Sequence, residues 1–87
     1  MLSSKKYELN DVVTFKVVTG EEIVARVFEE HDSYYTLQKP MQLIPTPNQN
    51  IGLAPIGFSF DPQNFVMLNK HAVAIHAKTL KDLADNT

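Results

Sequence analysis

The feature that most constrains this chain is the two-residue alternation over residues 12–18. There Val13, Phe15 and Val17 fall on one side of an extended backbone, and Thr14 and Lys16 fall on the other. Successive side chains of a strand point to opposite faces, so the pattern specifies a strand half-buried against a core. Its β-branched and aromatic members suit a pleated surface. Residues 23–28 repeat the logic with a difference. Ile23, Ala25 and Val27 alternate with Val24, Arg26 and Phe28, so apolar groups lie on both faces and burial on more than one side is expected. Further extended runs follow at residues 34–44, 51–60, 65–68 and 72–77.

Turn-forming residues separate these runs. Gly20 supplies a permissive backbone in Thr19-Gly20-Glu21-Glu22, and His31-Asp32-Ser33 forms a second tight turn, with Asp32 bonding its own backbone. Residues 45–50 carry two prolines and two asparagines and read as a loop, and Asp61-Pro62-Gln63-Asn64 reads as a type I turn. Asn69-Lys70-His71 is a tight connection. Pro40 interrupts the third run, which predicts a bulge or an edge position there. Glu29 and Glu30 return the second run to water. Five or six short strands joined this way predict an all-β domain, a small barrel or sandwich, and closure into a barrel removes exposed strand edges. The tail changes period. Thr79 is placed to cap a short C-terminal helix, with Asp82 three residues on and Leu80, Leu83 and Ala84 at helical spacing.

The chain has 87 residues, enough for one domain over 1–87, with a loose N-terminal segment at 1–10 and a variable loop or hairpin insertion at 45–64. A domain of this size buries roughly 60–65% of the surface its unfolded form exposes, so its core is thin and association adds stability. No cysteine is present to staple it. The formal net charge of -2 argues against a broad basic surface for duplex nucleic acid but not against a small local positive site. No run approaches the roughly 18–20 apolar residues of a membrane span. The first ten residues carry two lysines with no apolar core after them, so no signal peptide is expected there and the expected location is cytoplasmic.

Two segments carry a family resemblance. The first has Gly20 after an alternating strand, then Ile23, Ala25 and Val27 at three, five and seven residues on, then the Asp32 turn. It resembles the first motif of the Sm-like family, which includes the bacterial RNA chaperone Hfq. The second segment reads VMLNKHAVAI over residues 66–75 and resembles the second Sm motif, its Lys70-His71-Ala72-Val73 being similar to the Lys-His-Ala-Ile run of the Hfq branch. The whole also resembles phage-encoded members, for which the location would be the host cytoplasm. The pattern departs in places. The family's second glycine is Ala25, Asp32 comes one residue late, the base-reading asparagine of other members falls at Thr36, and their Arg-Gly pair falls at Asn69-Lys70.

The resemblance implies a strongly bent five-stranded Sm-like (SH3-like) barrel with a short C-terminal helix. It also implies that copies pair through two edge strands, around residues 65–68 and 72–77, into a homo-oligomeric ring of five to seven subunits. It further implies single-stranded, uridine-rich RNA near the pore. Lys70 would bring charge and a donor, and His71 a hydrogen bond. Tyr34 would stack on a base, with Asn69 and Asp32 framing the site. Base–aromatic stacking contributes roughly 1–3 kcal/mol per base, and repetition around a ring multiplies it.

Plainer roles stand beside these. Lys70 and His71 also fit as solvated turn residues. Alternation sends Tyr34 and Tyr35 to opposite faces, so one of them packs in the core. His31, His71 and His76 lack ligand spacing, so no metal or other cofactor is expected. His76 lies opposite Val73 and Ile75 on its strand and reads as a surface or interface residue. No phosphate loop, nucleophile elbow or apolar carboxylate pair occurs, which argues against an enzyme and a small-molecule substrate. The pairs Glu21-Glu22 and Glu29-Glu30 read as solubility and turn chemistry. Phe58, Phe60 and Phe65 cluster around a turn as a hairpin tip or a subunit interface. Two functions therefore stand: a ring that binds single-stranded RNA, or a ring that serves as a scaffold or protein-binding adaptor.

Overall fold

The computed structural model describes residues 5–48, 50–57, 61 and 63–85. Six strands form one antiparallel sheet: β1 (Val12–Val17), β2 (Glu22–Glu30), β3 (Tyr34–Pro45), β4 (Ile51–Pro55), β5 (Val66–Asn69) and β6 (Val73–Lys78). A 3-10 turn, Lys70–Ala72, joins β5 to β6, and the helix α1 spans Lys81–Ala84. Six strands appear where the resemblance implies five, because β3 pairs in series with two short strands along one edge. Its first half, from Tyr34 to Leu37, pairs β5, and its second half, from Met41 to Pro45, pairs β4. Between the two halves Lys39 takes a positive φ of 51° and Pro40 follows it. Two residues of β3 there oppose one of β2, so the expected irregularity at Pro40 is a bulge that bends the strand.

The sheet is curled. In pairing order β5 and β6 lie four strand steps apart, through β3, β2 and β1. At about 4.8 Å per step a flat sheet would separate them by roughly 19 Å. A three-residue 3-10 turn rises only about 6 Å. So short a connection requires the sheet to bend back on itself. The core records the same bend. Val13, Phe15, Ala25, Val27, Tyr35 and Leu37 are buried in one cluster, and Leu68 of β5 and Val73 of β6 pack against it from opposite ends of the sheet. The curl stops short of closure: among the described residues β5 pairs only β3, β6 pairs only β1, and the two are not paired to each other. The expected barrel is thus an open one.

The alternation of β1 is realised, with Val13, Phe15 and Val17 buried and Lys16 exposed. In β2, the neighbours Val24 and Ala25 are both buried on opposite faces, as its two-sided apolar pattern requires. Three readings are corrected. Glu30 does not return to water but is 3% exposed. In β6, Val73 and Ile75 do not share a face. A register shift opposite Lys16 and Val17 adds one residue at Ala74, so Val73 meets Val17 at the core while Ile75 pairs Lys16 outside, 63% exposed. Thr79 does not cap α1. Leu80 holds the cap position without a side-chain bond, and Thr79 Oγ1 bonds Thr14 Oγ1 at 2.8 Å instead. Asp61 does form its turn, accepting the Asn64 N–H at 3.1 Å and the Gln63 N–H on its side chain at 2.9 Å. Phe58, Phe60 and Pro62 lie outside the described residues.

Candidate functional site

Two turns meet at one end of the sheet. Tyr34 opens β3 directly opposite Asn69, the last residue of β5. The chain then turns, and the Lys70 N–H donates to the Ser33 carbonyl at 2.9 Å, fastening the 3-10 turn to the β2–β3 turn. Asn69 caps the 3-10 turn, its Oδ1 accepting the His71 N–H at 2.8 Å. Asp32, Tyr34, Asn69, Lys70 and His71 therefore converge, although Asp32 and His71 stand exposed. Asp32 was expected to bond its own backbone; among the described residues its carboxylate makes no such bond.

Lys70 is not a free cation. Its Nζ donates to Glu30 Oε2 at 2.8 Å and lies 4.9 Å from the centre of the Tyr35 ring. Glu30 Oε1 accepts two more bonds, from the backbone N–H groups of Lys6 at 2.8 Å and Tyr7 at 3.1 Å. Burial disfavours the ionised carboxylate, but the Lys70 hydrogen bond and the two backbone donors outweigh it and hold the Glu30 carboxyl below its ordinary range. One side chain thus joins β2, the 3-10 turn and the N-terminal segment.

The two tyrosines separate as alternation requires. Tyr35 is the core residue, its ring 4.8 Å from that of Phe15. Burial first, then the Glu30 charge, pushes its phenol up to about 12. Tyr34 is half-buried and stacks on His31, ring centres 4.2 Å apart and planes 21° from parallel. One face of the expected base platform is therefore covered by an imidazole of the same chain. His31 is held in turn, its Nε2 3.2 Å from Thr36 Oγ1 and 3.4 Å from the Glu29 carboxylate. His76 is exposed, as expected, and it is also held in place. It sits opposite Phe15 on β6, and its Nδ1 is hydrogen-bonded to the Tyr7 hydroxyl. Burial, with Glu30 and Asp11 behind it, pushes the Tyr7 phenol up. Among the described residues no cluster of His, Asp and Glu is placed to hold a metal ion.

Sequence reasoning missed Glu30, Tyr7 and His31 as members of this end of the molecule. For Glu30 the one available signal was its position at the end of an apolar strand, where a carboxylate needs a partner if the strand stays buried. No protein-family model and no curated protein matches this sequence.

Proposed function

We propose that this chain is an assembly module that joins copies of itself edge to edge into a closed ring, β6 of one copy pairing β5 of the next. The observation that supports this reading is the state of those two strands. Among the described residues each has a partner on one side only, and each carries a large exposed apolar side chain: Met67 is 61% exposed on β5 and Ile75 63% exposed on β6. Open apolar edges invite pairing with another chain. Two different edges on one subunit make a head-to-tail contact, which either closes into a ring or runs on as a filament. β4 is also an edge, but it is blunted. Pro55 ends it without an N–H, and it pairs a segment of β3 that itself ends in Pro45. The Sm-like resemblance supports closure, at five to seven subunits. Light scattering on a sizing column tests the reading: a single closed oligomer is expected, and a folded monomer at working concentration would reject it.

A second reading adds single-stranded, uridine-rich RNA as the ring's ligand. It is supported by the bond from Lys70 N–H to Ser33, which draws Tyr34, Asn69 and His71 together. In this reading Lys70, held by Glu30, positions the turn, and His71 and Tyr34 meet the nucleotide. Anisotropy of a labelled oligouridine tests it, with Tyr34→Ala and His71→Ala expected to weaken binding. An intact ring without affinity at low salt leaves the scaffold or adaptor role.

A further inference from the structure

A concave site is lined by residues that the ring and RNA readings do not use. It is a cleft of about 360 Å³ lined by Asn10, Arg26, Gln38, Lys39, Gln63 and Asn64. That size falls within the roughly 300–1,000 Å³ of small-molecule sites. Among the described residues the lining contains two cations and four carboxamides, and no carboxylate. Four chain segments build it: Asn10, Arg26 on β2, Gln38 and Lys39 on β3, and Gln63 with Asn64. Arg26 faces Gln38 across the β2–β3 pair, and its Nη1 donates to the Asn10 carbonyl at 3.3 Å. Asn10 is anchored by its own N–H to the Val27 carbonyl at 2.8 Å. Gln63 and Asn64 are set by Asp61, which takes the Gln63 N–H and, at 3.3 Å, the Asn64 side-chain amide. Asp61 does not itself line the cleft.

The backbone marks the same place. Among the described residues only two that are not glycine adopt a positive φ, Asn10 at 71° and Lys39 at 51°, and both line this cleft. Asparagine tolerates that region, but lysine gains nothing from it, and such strain gathers where side chains are held for a purpose. At Lys39 it coincides with the β3 bulge, which re-aims a side chain out of the strand's alternation. The guanidinium fork suits a planar or tetrahedral oxyanion, the ammonium supplies a second charge, and the carboxamides supply neutral donors.

We propose that this cleft binds a small oxyanion-bearing ligand, a phosphate monoester or a carboxylate, between Arg26 and Lys39. The test is titration of the full-length isotope-labelled chain with glycerol phosphate in one arm and succinate in the other. Amide shifts are followed at constant ionic strength, with chloride as the control. Saturable shifts of Asn10, Gln38, Lys39, Gln63 and Asn64 are expected, and the tighter arm names the oxyanion. Lys39→Gln is expected to weaken that arm roughly tenfold, the loss of one charge-assisted hydrogen bond. Because Arg26→Gln also removes a bond to Asn10, the second variant is Lys39→Gly. It relaxes the backbone and should keep or raise the melting temperature while losing affinity to the same degree. Shifts that rise linearly in both arms and in chloride would overturn the proposal, as would unchanged affinity in Lys39→Gln and Lys39→Gly.

Discussion

Lys70 Nζ meets Glu30 Oε2 at 2.8 Å across a separation of 40 residues. The other Glu30 oxygen takes the N–H groups of Lys6 and Tyr7, so three separate stretches of chain depend on one carboxylate. The pair lies beneath the turn on which the RNA reading places its ligand. Lys70 is therefore first a structural cation, and any account of its loss must separate a collapsed turn from a lost contact.

Removing the carboxylate should be expensive. Glu30→Ala leaves an ammonium without its partner and two backbone donors without an acceptor. Breaking a buried pair in this way costs about 3 kcal/mol. Lys70→Met is expected to cost less, because a packed apolar side chain replaces the cation and the Lys70 side chain is already 28% exposed. Urea unfolding of the two single variants and the double variant measures this. The double variant should be less damaged than the sum of the singles, and simple additivity would mean that the pair does not couple.

The same carboxylate gives stability a direction in pH. The Glu30 carboxyl is held below its ordinary value of 4.5 in the folded chain. Its contribution is thus fully present above about pH 4.5 and is lost as pH falls through the lower folded value. Glu30→Gln should flatten the acid limb of a stability–pH curve while lowering its plateau. The alkaline limb belongs to Tyr35. Its phenol is raised from 10.0 to about 12, so its contribution is whole below pH 10 and is lost between pH 10 and pH 12. A shift of that size corresponds to on the order of 3 kcal/mol, and Tyr7 adds to the same limb. Tyr35→Phe should remove most of that slope, and a wild-type slope retained in the variant would assign it elsewhere.

Gly20 offers a sharper local test. It closes the β1–β2 turn at φ +107°, and a Cβ built there meets no atom within 4 Å. Space is not the constraint; backbone conformation is. Gly20→Ala should therefore destabilise by about 1–2 kcal/mol without any packing defect. Hydrogen exchange should locate the loss at the Val17–Glu21 bond that closes the turn. A neutral substitution would show that the turn readily adopts another form.

What the sequence disclosed and what it hid divide along a physical line. The strands came through because a period of two is written into neighbouring residues, as in Val13, Phe15 and Val17. The Asp61 turn came through because its chemistry is local. The bulge at Ala74 did not: one inserted residue reverses the parity of β6, and no residue type marks it, so alternation puts Ile75 on the face of Val73, opposite His76. Glu30 beside Glu29 reads as solvated surface until its distant partner is known. Tyr34 pairs Asn69 at the turn, yet the imidazole stacked on it comes from His31, whose role no spacing announced.

The edge strands give the last prediction. Met67 and Ile75 are exposed in the single subunit, so Met67→Lys and Ile75→Lys remove little from its own core, and each should change its folding stability by no more than about 0.5 kcal/mol. A charge on an edge strand opposes pairing with another chain, and in a ring every interface repeats the insult. Sizing with light scattering should find the proposed oligomer shifted toward monomer in either variant. The two faults lie on opposite sides of the head-to-tail contact, one on β5 and one on β6. A mixture of the two variants can therefore form a contact between the unaltered β5 of one and the unaltered β6 of the other. Such a pair retains one altered strand at each free end and cannot extend, so mixing should yield dimers rather than rings. Rings that persist in both single variants would place the interface elsewhere on the molecule.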